Sequence, residues 1–125
     1  RHPLPFAKGQ VWSGFYTCAQ GETALELKIQ GTSNELRKYT SGYAYPVTAI
    51  FDFNFKDGKA TGAFNLSGRF YPLENIAVFD PKDWIANPAN YNSVGLKGMI
   101  IDGGNGFYGK ILSSGCKKFK LTLNK

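Results

Sequence analysis

The chain has 125 residues, 42% hydrophobic and 15% aromatic, with 15 glycines, two cysteines and one histidine. That length suits a single domain, and no apolar run of about 18 residues exists to form a membrane-spanning helix. Fifteen Lys and Arg against nine Asp and Glu leave a charge of +6, which serves solubility and draws the chain weakly toward anionic surfaces; with His2 alone near the start, a His-based triad or His metal cluster has no material.

Residues 1–9 contain Pro3 and Pro5 and end at Gly9, so they read as an extended, mobile lead-in rather than a strand or helix. Residues 10–125 read as one β-domain. Its first hairpin covers 12–29: Trp12, Gly14, Tyr16 and Cys18 share one face, a turn falls at Gln20-Gly21, and Leu25, Leu27 and Ile29 alternate with Glu26 and Lys28. One face is core and the other is wet. Residues 31–45 are polar and turn-rich, with a single helical turn expected around Glu35–Tyr39; this loop carries Arg37, Lys38, Tyr39, Tyr43 and Tyr45.

The alternation is cleanest over 47–55, where Val47, Ala49, Phe51, Phe53 and Phe55 face one side. An Asp57-Gly58 turn, which tolerates positive φ, leads into a return strand over 60–70 with Phe64, Leu66, Gly68 and Phe70 inward; Gly62 and Gly68 let it coil. Asn65-Leu66-Ser67 matches a glycosylation acceptor, but within a strand it reads as a chance match. A short strand over 74–79 precedes a second long loop over 80–91, made irregular by Pro81, Pro88 and two asparagines, and carrying Trp84 and Tyr91. Strands over 93–101 and 107–112 flank a glycine-rich turn at 102–106, and a strand over 116–123 closes the chain with Phe119, Leu121 and Leu123 inward. Lys117, Lys118, Lys120 and Lys125 crowd this last strand, where outward lysines near a seam guard against edge-to-edge association or contact an anionic polymer.

About eight strands joined mainly by hairpins specify an all-β fold, a small antiparallel barrel, with a β-sandwich as the competitor. A closing barrel brings first and last strands together, so Cys18 and Cys116 are expected to form a disulfide, the alternative being two free thiols. The bond implies an oxidising, extracytoplasmic compartment, periplasmic or secreted. The opening Arg-His-Pro-Leu-Pro is no signal peptide, compatible with a leader already removed.

Gly9 and Trp12 at the entry to the first strand of an eight-stranded meander are similar to the lipocalin and avidin-like barrels, although the Gly-to-Trp spacing is one residue longer. That resemblance implies a basic residue from the last strand, Lys118 or Lys120, stacked on Trp12. More closely, the chain resembles an uncharacterised family of small bacterial β-domains predicted to be exported. Trp12, Gly14, Tyr16, Cys18, Gln20 and Gly21 carry the opening motif, and Trp84, Ile85, Tyr91, Val94, Gly95, Leu96, Gly109, Cys116, Phe119 and Leu121 the closing one. The match spans most of the chain and implies export and the cysteine pairing, but no activity. The Tyr-x-Cys opening also resembles small periplasmic lysozyme-inhibitor barrels; their remaining motifs are absent, and a charge of +6 opposes binding a basic lysozyme.

Catalytic residue types are scarce. Asp80 and Asp83 form the one close acidic pair in a predicted loop, which opens a carboxylate-based glycosidase reading against a turn or capping role. Gly103-Gly104-Asn105-Gly106 lacks the following helix and lysine of a phosphate cradle and reads as a turn. No cofactor, metal or specific nucleic acid is expected. The loop aromatics Tyr39, Tyr43, Tyr45, Trp84 and Tyr91, with Arg37 and Lys38, are the candidate partner-binding residues, since exposed rings stack on sugar faces and anchor protein partners. The expectation is a non-catalytic binding module for cell-envelope glycan or a protein partner. The alternatives are a lipocalin-like carrier of an apolar ligand, disfavoured because Phe51, Phe53, Phe55, Phe64, Phe70 and Phe119 would fill the interior, and the glycosidase.

Overall fold

The computed structural model describes residues 4–19, 21–55, 58–88 and 91–124. Nine strands lie among them: β1 (Val11–Cys18), β2 (Gly21–Thr32), β3 (Arg37–Tyr39), β4 (Gly42–Phe55), β5 (Ala60–Tyr71), β6 (Ile76–Ala86), β7 (Gly95–Ile101), β8 (Gly106–Leu112) and β9 (Cys116–Leu123). Eight form a closed antiparallel barrel, since β9 returns to pair with β1 and β2 pairs with β4, while β3 stands outside and pairs only with the start of β4. A sandwich would leave free sheet edges between two layers; here the ladder runs all the way round.

The alternation read from the sequence becomes the inner wall. Leu25, Leu27 and Ile29 of β2 lie opposite Phe53, Phe51 and Ala49 of β4, and all six are buried. Phe51 stacks on Phe64 with ring centroids 4.6 Å apart, and Phe107 meets the edge of Phe119 at 4.9 Å. Glycines on this inner face make room for rings: a Cβ at Gly68 would overlap Phe79, and one at Gly98 would overlap Phe119 and the Tyr108 carbonyl.

Three expectations are corrected. Within the lead-in, described from residue 4 onward, the chain does not stand apart: Phe6 is 2% exposed and its ring contacts those of Trp12, Phe70, Phe79 and Phe107. Gln10 anchors it, because its side-chain oxygen accepts hydrogen bonds from Trp12 Nε1 (3.1 Å) and the Ala7 amide (2.9 Å), and Gly9 and Gln10 bond to Ile29. Phe6 packs against Trp12, and the lysines expected to stack there, Lys118 and Lys120, are instead exposed on the outer wall. Second, Arg37–Tyr39 is a strand rather than a helical turn, paired with Gly42–Ala44. Third, β6 continues to Ala86 through the segment expected as a loop. Pro81 is tolerated there because β7 covers only Ile76–Phe79, and the β5 register breaks around it; a missing N–H costs little on such an uncovered, irregular edge.

Cys18 and Cys116 face each other across β1 and β9 and are bonded. Cys116 lies three residues before inward Phe119, a spacing that would turn it outward in a regular strand. A bulge corrects this: Tyr16 and Cys18, two apart, pair with Phe119 and Cys116, three apart, so one extra residue of β9 restores the inward direction. Of the expected turns, Gln20 and Asp57 lie outside the described residues, while Gly21 (φ 118°) and Gly58 (φ 96°) hold the left-handed backbone that such turns require.

Candidate functional site

Strand direction sorts the connections onto two ends of the barrel. At the disulfide end lie the β1–β2, β4–β5, β6–β7 and β8–β9 connections; at the lead-in end lie residues 4–10, the β2–β3–β4 segment and the β5–β6 and β7–β8 turns. The candidate residues therefore divide. Trp84 and Tyr91 belong to the disulfide end, and Arg37, Lys38, Tyr39, Tyr43 and Tyr45 to the other.

At the lead-in end, β3 and the start of β4 form a flap. Lys38 lies opposite Tyr43, both exposed, with Tyr43 at 56%, and Arg37 is exposed beside them. Tyr39 is half-buried beneath the Arg69 guanidinium, 5.5 Å from its ring centroid. Arg69 in turn donates to Asp80 Oδ2 (2.9 Å) and to the Tyr71 hydroxyl (3.0 Å), which also hydrogen-bonds Ser41 Oγ. Partial burial works against the guanidinium charge, but the bonds to Asp80 and Tyr71 outweigh it and hold its pKa above the ordinary value. The flap is thus pinned to β5, leaving Tyr43, Lys38 and Arg37 outward. Tyr45 is half-buried against the core.

At the disulfide end the rings gather around Phe53. Tyr91 stacks on it at 5.4 Å and Trp84 meets it edge-on at 6.2 Å while also packing on Phe64 at 5.0 Å. Tyr16, Phe53, Phe64, Tyr91 and Val94, with the disulfide, Asn92 and Ser113, line a cavity of about 330 Å³ at the barrel mouth. Burial pushes the Tyr16 phenol up to about 12. The Thr23 hydroxyl across the strand pair pulls weakly the other way, although Thr23 Oγ1 is buried without a hydrogen bond of ordinary geometry. Tyr16, Phe53 and Phe64 are buried in the mouth wall, so the ring left half-open is Tyr91, with the exposed Asn92 amide and Ser113 hydroxyl among the lining for hydrogen bonding and a Tyr16 phenol that stays neutral.

Sequence reasoning missed Phe53, Phe64 and Tyr16 as mouth residues because inward parity reads as core. They reach the mouth because they stand near the disulfide end of their strands, which strand direction and position could have indicated. Asn92 and Ser113 had no signal, each being an ordinary loop polar residue. Asp80, expected in a loop, sits on β6 with its carboxylate held by Arg69. Among the described residues, no group of three or more His, Cys, Asp or Glu side chains comes together that could hold a metal. Comparison with family models and with curated proteins finds no match for the chain.

Proposed function

We propose that this protein is a non-catalytic, extracytoplasmic binding module, periplasmic or secreted, that holds cell-envelope glycan at the ring-lined mouth. The observation that carries the reading is the mouth itself: a cavity of about 330 Å³ walled by Tyr16, Phe53, Phe64 and Tyr91 with Asn92 and Ser113 among its lining. Sugars present apolar C–H faces to rings and hydroxyls to amides, and sites of this size and mix suit a small unit of a larger chain. The disulfide supports the compartment, as does the resemblance to exported bacterial β-domains.

The flap favours a protein partner as a second reading, since exposed Tyr43 beside Arg37 and Lys38 on a pinned element is the composition of an interface anchor. A carrier role is disfavoured because rings, Phe6 included, occupy the barrel interior. The ion pair of Asp80 with Arg69 weighs against the glycosidase reading.

Pull-down on peptidoglycan and polysaccharides, with a glycan array beside it, tests the proposal through Tyr91→Ala, Trp84→Ala and Tyr43→Ala. Glycan capture should drop about fivefold or more with Tyr91→Ala, the loss of one stacking ring being worth about 1 kcal/mol, drop less with Trp84→Ala, which only supports Phe53 and Phe64 from outside the lining, and survive Tyr43→Ala. Capture indifferent to Tyr91→Ala would remove the mouth as the site; loss with Tyr43→Ala alone would move it to the flap.

A further inference from the structure

Cross-strand register builds two parallel rows on the outer wall. One runs Lys118, Lys110 and Lys97 across β9, β8 and β7, each directly opposite the next. The other, two residues along each strand, runs Phe15, Lys120, Tyr108 and Met99 across β1, β9, β8 and β7. Phe15 and Met99 are 53% and 48% exposed, the four lysines are exposed, and Lys120 Nζ sits 5.1 Å from the Tyr108 ring centroid. Between β1 and β8 the wall sinks into a groove of about 860 Å³, with Phe15 and Thr17 on one side, Tyr108 and Lys110 on the other, and Lys118 and Lys120 on β9 between them.

Two bland explanations fail. Edge protection needs an edge, and β9 is paired on both sides, with β1 and with β8. Solubility is served as well by scattered lysines, whereas like charges placed directly opposite repel. Among the described residues none of the four lysines belongs to an ion pair. Among the described residues Glu22 is the one carboxylate lining the groove, and Asp102, which accepts from the Tyr108 hydroxyl at 3.4 Å, lies beyond it.

We infer that this wall binds a linear carboxylated polysaccharide laid across the strands, its carboxylates over Lys118, Lys110 and Lys97 and its sugar faces against Phe15 and Tyr108. The lysines step by about 5 Å from strand to strand, close to the advance of one pyranose residue, so a polymer with regularly repeated charge meets successive cations. A row of this kind suits a polymer better than a single anion, which needs converging donors. An extended peptide finds no free strand edge for its main chain on this wall, where β1, β9, β8 and β7 are each paired on both sides. A bilayer is too flat to follow the groove, and the aromatic row supplies what sugar faces use. The wall and the mouth share no lining residue, so this inference stands independently of the mouth.

Titration of the full chain with polygalacturonate fragments at low salt tests it, with neutral dextran, phosphatidylglycerol vesicles and oligothymidylate run in parallel. Polygalacturonate should bind, weakening as salt rises, and dextran should not bind the wall. Lys110→Gln with Lys118→Gln should weaken binding about fivefold, and Phe15→Ala by a similar factor. Lys59→Gln with Lys82→Gln, which removes the same charge at two exposed positions outside the groove, should change it less than about twofold. Tyr91→Ala should leave it intact, separating this site from the mouth. Equal losses from the two lysine pairs would reduce the wall to net charge and overturn the proposal. Tighter binding of vesicles or oligothymidylate than of polygalacturonate, weakened by the Lys110 and Lys118 changes, would reassign the wall to lipid or nucleic acid; no polygalacturonate binding at low salt would also overturn it. Both wall variants should melt no lower than the parent, since like-charge repulsion is relieved and Phe15 is exposed.

Discussion

Tyr16 illustrates how a barrel end sets the chemistry of a single side chain. It faces inward from β1, packs edge-on against Phe51 at 5.3 Å, and is 5% exposed while lining the mouth. Burial penalises the phenolate, so the folded pKa rises from the usual 10.0 to about 12. A pKa raised on folding stabilises the protein in full below the unfolded value and loses that stabilisation as pH climbs through the folded one. Stability should therefore fall between pH 10 and 12, by roughly 2–3 kcal/mol at most from this group. Lys28, held above its usual value mainly by its hydrogen bond to Asp52, contributes in the same direction but from an exposed site. Urea titration of the parent and of Tyr16→Phe across this range separates the two. The variant should lose most of the alkaline decline; an unchanged decline would place the effect elsewhere.

Elements that pattern alone misread were decided by what lies beside them. Arg37–Tyr39 is too short to reveal a period, and the charged, turn-flanked segment suits a helical turn until Gly42–Ala44 supplies a ladder partner. Its anchor is Arg69, which joins Tyr39, Tyr71 and Asp80 from β5. Arg69→Ala should free the flap without unfolding the barrel: amides of Arg37–Tyr39 should exchange with solvent at least about tenfold faster while those of β5 stay protected, as hydrogen exchange would register. The cost in global stability should stay near 1 kcal/mol, because the Asp80 pair is partly exposed. Uniform acceleration across β5 would mean that Arg69 supports the barrel rather than the flap.

For the whole molecule, the disulfide bears on folding and on compartment. It joins residues 98 apart in sequence across strands that already pair, so its effect falls mainly on the unfolded chain, up to about 4–5 kcal/mol in the loop-entropy account. Cys18→Ser with Cys116→Ser should keep the barrel, by circular dichroism, and lower its melting temperature by about 10 °C or more. Intact mass of protein recovered from its native compartment should lie two hydrogens below the reduced value. Free thiols there would refute the extracytoplasmic assignment while leaving the barrel untouched.

The all-β class, the run of hairpins and most inner-wall residues were legible in the chain because alternation is local: Phe51, Phe53 and Phe64 declare their face by their immediate neighbours. The cysteine pairing was legible in so far as a closing barrel brings the first and last strands together. Tertiary structure alone decided which residues share a surface. Trp84 and Tyr91 parted from Tyr43 because strand direction sends alternate connections to opposite ends, and Phe6 became core because the chain before β1 folds back onto the rings of Trp12, Phe70, Phe79 and Phe107. The bulge that turns Cys116 inward and the register that sets Lys118, Lys110 and Lys97 in line depend on pairings between distant segments. Period two reports which face a residue takes; its neighbour across the ladder depends on register and bulges, which the assembled barrel imposes.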